Sequence, residues 1–186
     1  MGYRQRKNIF KISYGSKQYT GGDKADIFYL SKPDLLAEAS YFNGLGGEDI
    51  IITYEDLPEH SHYFIDLTLG EIHFHHINDK KLIANIENIE HAYGNPKTND
   101  ELKGNHENNY LNGRGGNDQI WGYLGDDEIF VYQGNNFICG GIGDDFLSGG
   151  GGDDIYLISY NDGHTVIEDT AEVTILWFYV IFVMMN

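Results

Sequence analysis

The chain holds one cysteine, Cys139, three prolines, and only twelve lysines and arginines against twenty-nine aspartates and glutamates in 186 residues. A single cysteine excludes an intrachain disulfide and gives no clue to redox compartment. Glycine without proline, 24 against 3, points to many tight turns rather than polyproline or flexible linkers. A net charge of −17 leaves too few cations to build a nucleic-acid face. The cations that exist are badly distributed: five lie in the first 17 residues, where there is no acid, and none follows Arg114, whereas twelve acids do. An acidic segment without counter-charge stays open or recruits cations from outside.

Long apolar runs are also scarce. The N-terminal "MGYRQRKNIFKISYG" is basic and has no apolar core, so no cleavable signal peptide is expected. Arg6 breaks the myristoylation pattern. The C-terminal "VTILWFYVIFVMMN" is apolar but shorter than the roughly 20 residues of a bilayer-spanning helix. It reads as a terminal strand packed on the roll, where outward aromatics such as Trp121, Phe130, Phe137 and Phe146 would welcome cover.

What the chain does have is a beat of nine. From Asn95 to Leu157 it divides into NPKTNDELK, GNHENNYLN, GRGGNDQIW, GYLGDDEIF, VYQGNNFIC, GGIGDDFLS and GGGGDDIYL. Positions five and six are Asn or Asp in every unit. Position eight is always apolar: Leu102, Leu111, Ile120, Ile129, Ile138, Leu147 and Tyr156. Glycine beside Asn or Asp favours turns, so positions one to six form a turn and seven to nine a short strand with one inward side chain. Such strands are stable only when stacked in parallel, two units to a coil, with the eighth positions forming a buried ladder.

Stacking sorts the position-six residues into two columns. One holds Asp100, Asp118, Asn136 and Asp154, the other Asn109, Asp127 and Asp145. Like charges one strand spacing apart demand a cation. Glycine turns add carbonyl oxygens, and an all-oxygen site suits Ca²⁺. Candidate ligands are Asp100, Asn117, Asp118, Gly125, Asp126, Asp127, Asn136, Gly141, Gly143, Asp144, Asp145, Gly150, Gly152, Asp153 and Asp154, supporting several Ca²⁺ ions. The best single site lies between the turns of Asp127 and Asp145. Sites that use Asn109 or Asn136 should bind more weakly.

These units resemble the G-G-x-G-x-D-x-U-x nonapeptide of the RTX (repeats-in-toxin) family of secreted bacterial proteins. The likeness extends to "FIDLTLGEIHFHHINDKKLIANIENIEHAYGN" at 64–95, to "SYNDGHTVIEDT" at 159–170, and to degenerate units "GGDKADIFY" at 21–29 and "GLGGEDIII" at 44–52. It implies an all-β, right-handed parallel β-roll that folds on Ca²⁺ binding outside the cell after export by type I secretion machinery. The expected organisation is a basic segment at 1–20, a β-rich flank at 21–94, the roll at 95–157, and a cap with an apolar strand or export signal at 158–186. "SKPDLLAEAS" at 31–40 is expected to be a short helix, with Ser31 as cap and Pro33 in its first turn.

Other readings are open. The basic N-terminus could meet a membrane or host-cell surface. His60, His62, His73, His75, His76 and His91 fall close together and could bind zinc or nickel, or simply be solvated hairpin residues. "HENNY" at 106–110 begins like a zinc-protease helix, but Tyr110 stands where the second His belongs. No catalytic constellation stands out, so the chain is expected not to be an enzyme. The alternative is a non-catalytic piece of a cytolytic toxin or secreted enzyme, or an adhesin-type surface.

Overall fold

The computed structural model describes residues 7–13, 15–170 and 173–178. Arg4 and Arg6 of the N-terminal cations, and the end of the apolar tail at 179–186, lie outside the described residues.

In chain order the strands are β1 (Ile9–Lys11), β2 (Gln18–Gly22), β3 (Ile27–Tyr29), β4 (Ser40–Leu45), β5 (Ile50–Ile52), β6 (Ser61–Asp66), β7 (Glu71–His76), β8 (Asp79–Glu87) and β9 (His91–Tyr93). They continue as β10 (Glu101–Lys103), β11 (Tyr110–Gly115), β12 (Gln119–Leu124), β13 (Glu128–Gln133), β14 (Phe137–Ile142), β15 (Phe146–Gly150), β16 (Asp154–Ser159), β17 (Val166–Asp169) and β18 (Val173–Phe178). Successive strands of the repeat alternate between two sheets. One runs β1-β3-β5-β9-β11-β13-β15-β17 and is parallel throughout. The other runs β18-β16-β14-β12-β10-β6-β7-β8-β4-β2. The architecture is an all-β parallel solenoid, a β-roll.

The apolar eighth position holds the two sheets together. Leu111 pairs with Ile129 and Ile129 with Leu147 in the first sheet; Leu102, Ile120, Ile138 and Tyr156 follow one another in the second. All seven are fully buried. At about 2 kcal/mol for each fully buried aliphatic side chain, this ladder is a main source of cohesion between the coils. The degenerate units join the same stack: Phe28 pairs with Ile51, and Ile51 with Ala92. The outward aromatics cover one another, with Phe130 and Phe146 ring centres 5.4 Å apart and Trp121 and Phe137 5.8 Å apart.

One expectation needs correction. Residues 31–40 form no helix; they cross from β3 to β4 with a single turn, in which Ala37 N–H donates to the Asp34 carbonyl at 3.2 Å. Exposure there alternates residue by residue, with Leu35 packed against the core and Leu36 95% exposed, which is the period of extended chain and not of a helix. The stretch 173–178 forms a strand that extends the second sheet at its edge beside β16, and the rest of the apolar tail lies outside the described residues.

One irregularity matters for the site. β7 is antiparallel to both β6 and β8, so the second sheet contains two strands that have no counterpart in the first. At about 4.8 Å per strand, this inserts a wedge of roughly 10 Å between β10 and β8. On the opposite side β5, β9 and β11 remain direct neighbours.

Candidate metal centre

The side chain at position six turns into the roll and forms a hydrogen-bonded ladder along its axis. Asp100 N–H donates to Asp118 Oδ1 at 2.8 Å, Asp118 N–H to Asn136 Oδ1 at 2.8 Å, and Asn136 N–H to Asp154 Oδ1 at 2.7 Å. In the other column, Asn109 N–H donates to Asp127 Oδ1 at 2.8 Å and Asp127 N–H to Asp145 Oδ1 at 3.0 Å. Each step is 18 residues, one coil, as the stacking argument requires.

The ladder occupies one oxygen of each carboxylate. The second, Oδ2, is buried without a hydrogen-bond partner in Asp118, Asp127, Asp145 and Asp154, and also in Asp49. These residues are at most 2% exposed. An unpartnered buried carboxylate oxygen is costly, and more so when charged. Burial accordingly pushes the carboxyl of Asp118 up to about 8, Asp127 to about 7 and Asp145 to about 6, against the pull of the amide each accepts. Asp154 is raised for the same reason.

Glycine at position one leaves room beside the orphaned oxygen. A methyl group on Gly122 would collide with Asp127 Oδ2 and with the Gly140 carbonyl of the next coil. A carboxylate oxygen and a main-chain oxygen therefore converge on the space that the missing Cβ leaves. Position four is equally constrained: Gly143 has φ +154°, and a Cβ there would strike the Gly125 carbonyl below. Among the described residues no three His, Cys, Asp or Glu side chains converge as a metal site, the histidines of β6 and β7 included. A cage in these turns therefore draws on main-chain oxygens, as a calcium site in glycine-rich backbone does.

The expected ligands separate into two groups. Asp118, Asp127, Asp145 and Asp154 face inward. Asn117, Asp126, Asp144 and Asp153, at position five, lie exposed on the outside. There they accept or donate in a second ladder of opposite sense, such as Asp144 N–H to Asp126 Oδ1 at 2.9 Å and Asp126 N–H to Asn108 Oδ1 at 2.9 Å. The Gly125 carbonyl faces Gly143 of the next coil, and Gly152 sits over the Gly134 carbonyl. A Cβ on Gly141 would strike the Tyr123 carbonyl. The Gly150 carbonyl accepts the Thr170 amide at 3.2 Å.

Two inward positions are satisfied by the protein itself. Asp100 Oδ1 accepts Tyr63 N–H from the wedge strand β6 and the Thr98 hydroxyl, both at 2.8 Å, and its Oδ2 accepts Asn95 N–H. Gly94, one residue before the first unit as it reads in sequence, is the glycine beside Asp100 Oδ2. At Asn136 the side-chain amide donates to Asp154 Oδ1 at 2.8 Å and to the Gly134 carbonyl at 3.1 Å. Its unit begins with Val131, whose Cγ1 would lie 2.7 Å from a methyl on Gly113, where Gly104 and Gly122 each have a main-chain oxygen of the next coil. Hydrocarbon thus faces Asp118, whose carboxyl is pushed up further than those of Asp100, Asp127 and Asp145 in the matched turns.

Sequence reading missed three participants. Asp49, in a degenerate unit, carries the same orphaned oxygen, and "GLGGED" was its signal. Glu90 stands in the ladder in place of an aspartate, with Oε2 accepting Asp49 N–H at 2.8 Å. Asp169 reaches the last turn from β17, and no periodicity announces it.

Stacked glycine turns whose inward position carries a buried Asp or Asn define a class, parallel β-rolls with oxygen-lined turns. Residues 98–129 and 121–156 match the RTX calcium-binding nonapeptide repeat family, so the chain carries RTX repeats. No curated protein matches the chain.

Proposed function

We propose that this chain is a calcium-responsive β-roll module of a secreted bacterial protein, in which several Ca²⁺ ions bridge adjacent coils and complete the fold. The observation that carries this reading is the row of orphaned Oδ2 atoms at Asp118, Asp127, Asp145 and Asp154 within the matched repeats. A hard divalent cation supplies what these oxygens lack wherever the turn leaves room, which Val131 denies at Asp118, and its preference for flexible oxygen cages matches glycine-rich turns. Asp127 and Asp145 belong to turns that begin with glycine and form the strongest sites. In the low calcium of the cytosol, repulsion and burial of these carboxylates oppose folding. Millimolar calcium outside the cell reverses the balance, so ion binding contributes directly to folding free energy. This suits export through a type I channel in unfolded form. The role is structural and ion-binding, and a catalytic or cytolytic partner domain would be a separate part.

The test is a calcium titration of the purified chain followed by circular dichroism, starting in chelator. A cooperative gain of β signal below about 1 mM Ca²⁺ is expected, the range of extracellular calcium modules. An identical β signal with and without chelator, together with no calcium uptake in equilibrium dialysis, overturns the proposal.

A further inference from the structure

The last coil differs from those before it. Beside the position-one glycines Gly44, Gly104 and Gly122 stand two oxygens, the position-six side chain of the same unit and a main-chain carbonyl of the next coil. Gly104 lies between Asn109 Oδ1 and the Gly122 carbonyl, and Gly44 between Asp49 Oδ2 and the Asn88 carbonyl. At Gly149 three side-chain oxygens meet instead. A methyl group there would encounter the Tyr156 hydroxyl, Asp154 Oδ2 and, at 2.7 Å, Asp169 Oδ2.

Each of the three is placed by a distinct feature. Asp154 is the last member of its column and fully buried; its Oδ1 accepts the amide and side-chain N–H of Asn136, while its Oδ2 has no partner. Asp169 ends β17, where the pairing with β15 shifts register between Ser148 and Gly150 and brings Asp169 opposite Gly150. Tyr156 is the single aromatic in the position-eight ladder of the seven units and is fully buried, and its hydroxyl donates to Asp169 Oδ2 at 2.7 Å. Leucine or isoleucine would fill that core position but could not reach the carboxylate. Two carboxylates are thereby brought together in a part of the chain with no Lys or Arg after Arg114.

We propose that Asp154 and Asp169 form a terminal divalent-cation site, with Tyr156 as the positioning residue that aims Asp169. A carboxylate of the capping strand replaces the main-chain oxygen that a further coil would have supplied. The site closes the end of the roll with two charged ligands where the interior cages have one. The identity of the ion as Ca²⁺ rests on the reading of the interior repeats given above.

The experiment measures calcium stoichiometry and affinity by equilibrium dialysis of the full chain, comparing wild type, Asp169→Asn, Tyr156→Phe and, as interior control, Asp127→Asn. Asp169→Asn is expected to lose about one ion per chain, as Asp127→Asn does. Tyr156→Phe, which retains the ring in the core, is expected to keep the count and weaken one ion by about tenfold. If Asp127→Asn loses an ion and Asp169→Asn binds as wild type does, the terminal site is refuted and the interior sites stand. If no chain takes up calcium, both fall. Should Asp169→Asn fail to fold at saturating calcium, unchanged affinities in Tyr156→Phe refute the terminal site. Two carboxylates that merely share a proton would give that same unchanged result.

Discussion

The amide of Asp127 donates to Oδ1 of Asp145 at 3.0 Å, one coil further along, while Oδ2 of both residues is buried and unpartnered. One contact thus aligns the coils and leaves a buried carboxylate oxygen on each residue for the proposed ion. Ala at Asp145 would remove a cage oxygen and strand the Asp127 amide.

The two residues are therefore expected to be coupled. Asp145→Ala should destabilise the calcium-loaded chain by about 1–3 kcal/mol, the cost of a stranded buried donor together with a lost ligand. Asp127→Ala should cost a similar amount. The double variant should fall short of the sum by about 0.5 kcal/mol or more. Urea unfolding in saturating calcium measures the cycle, and strict additivity would remove the shared ion.

Acid should replace calcium in part. The carboxyls of Asp118, Asp127 and Asp145 stand at about 8, 7 and 6 in the folded chain because burial disfavours their charged forms. An unfolded aspartate titrates near pH 4, at roughly 3.9. Their contribution to the metal-free fold is fully present below that pH and is lost as pH rises through the folded values. In chelator the chain should thus be more stable at pH 5 than at pH 8. Calcium binding near neutral pH should release protons. Urea midpoints in chelator at the two pH values check this; a higher midpoint at pH 8 contradicts it.

Glycines should differ sharply in tolerance. Gly122→Ala drives a methyl into Asp127 Oδ2 and the Gly140 carbonyl, so it should remove an ion and cost about 1–3 kcal/mol. Gly151→Ala meets nothing nearer than the Tyr132 carbonyl at 3.8 Å and should stay within about 0.5 kcal/mol of wild type. Thermal unfolding of both in calcium separates them. Equal losses would mean that the glycines matter only for backbone freedom.

The blocked cage should be convertible. Val131→Gly combined with Asn136→Asp recreates the glycine-first, aspartate-sixth pattern of the neighbouring units. Calcium uptake should rise by about one ion per chain. Asn136→Asp alone places a carboxylate beside the Val131 methyls and should destabilise the fold without adding an ion. Dialysis and thermal unfolding read both effects, and an unchanged count in the double variant would show that Val131 is not the obstacle.

Much of this was legible before any coordinates. The nine-residue beat assigned the turns, the buried ladder from Leu102 to Tyr156, and the two columns joined every 18 residues. These depend on contacts between identical positions of adjacent coils, so a periodic sequence states them directly. The helix expected at 31–40 failed because propensity was read without tertiary contacts: extended chain packs Leu35 against the core and leaves Leu36 exposed. Adjacent Asn and Asp residues looked equivalent as letters, yet alternation along the backbone sends Asp127 inward and Asp126 to water.

The sequence by itself determined the repeat, the strand ladder and the demand for an external cation, because each follows from local chemistry repeated at a fixed interval. Only the tertiary structure decided which oxygens are left without partners. That depends on what arrives from elsewhere in the chain: Tyr63 from the inserted hairpin satisfies Asp100, Val131 fills the space beside Asp118, and Asp169 meets Asp154 at the end of the roll. Tyr63 and Asp169 come from outside the repeat and obey no period, so their encounters exist only once the chain has closed on itself; Val131 keeps the 18-residue step from Gly113, but only packing shows its side chain filling the gap.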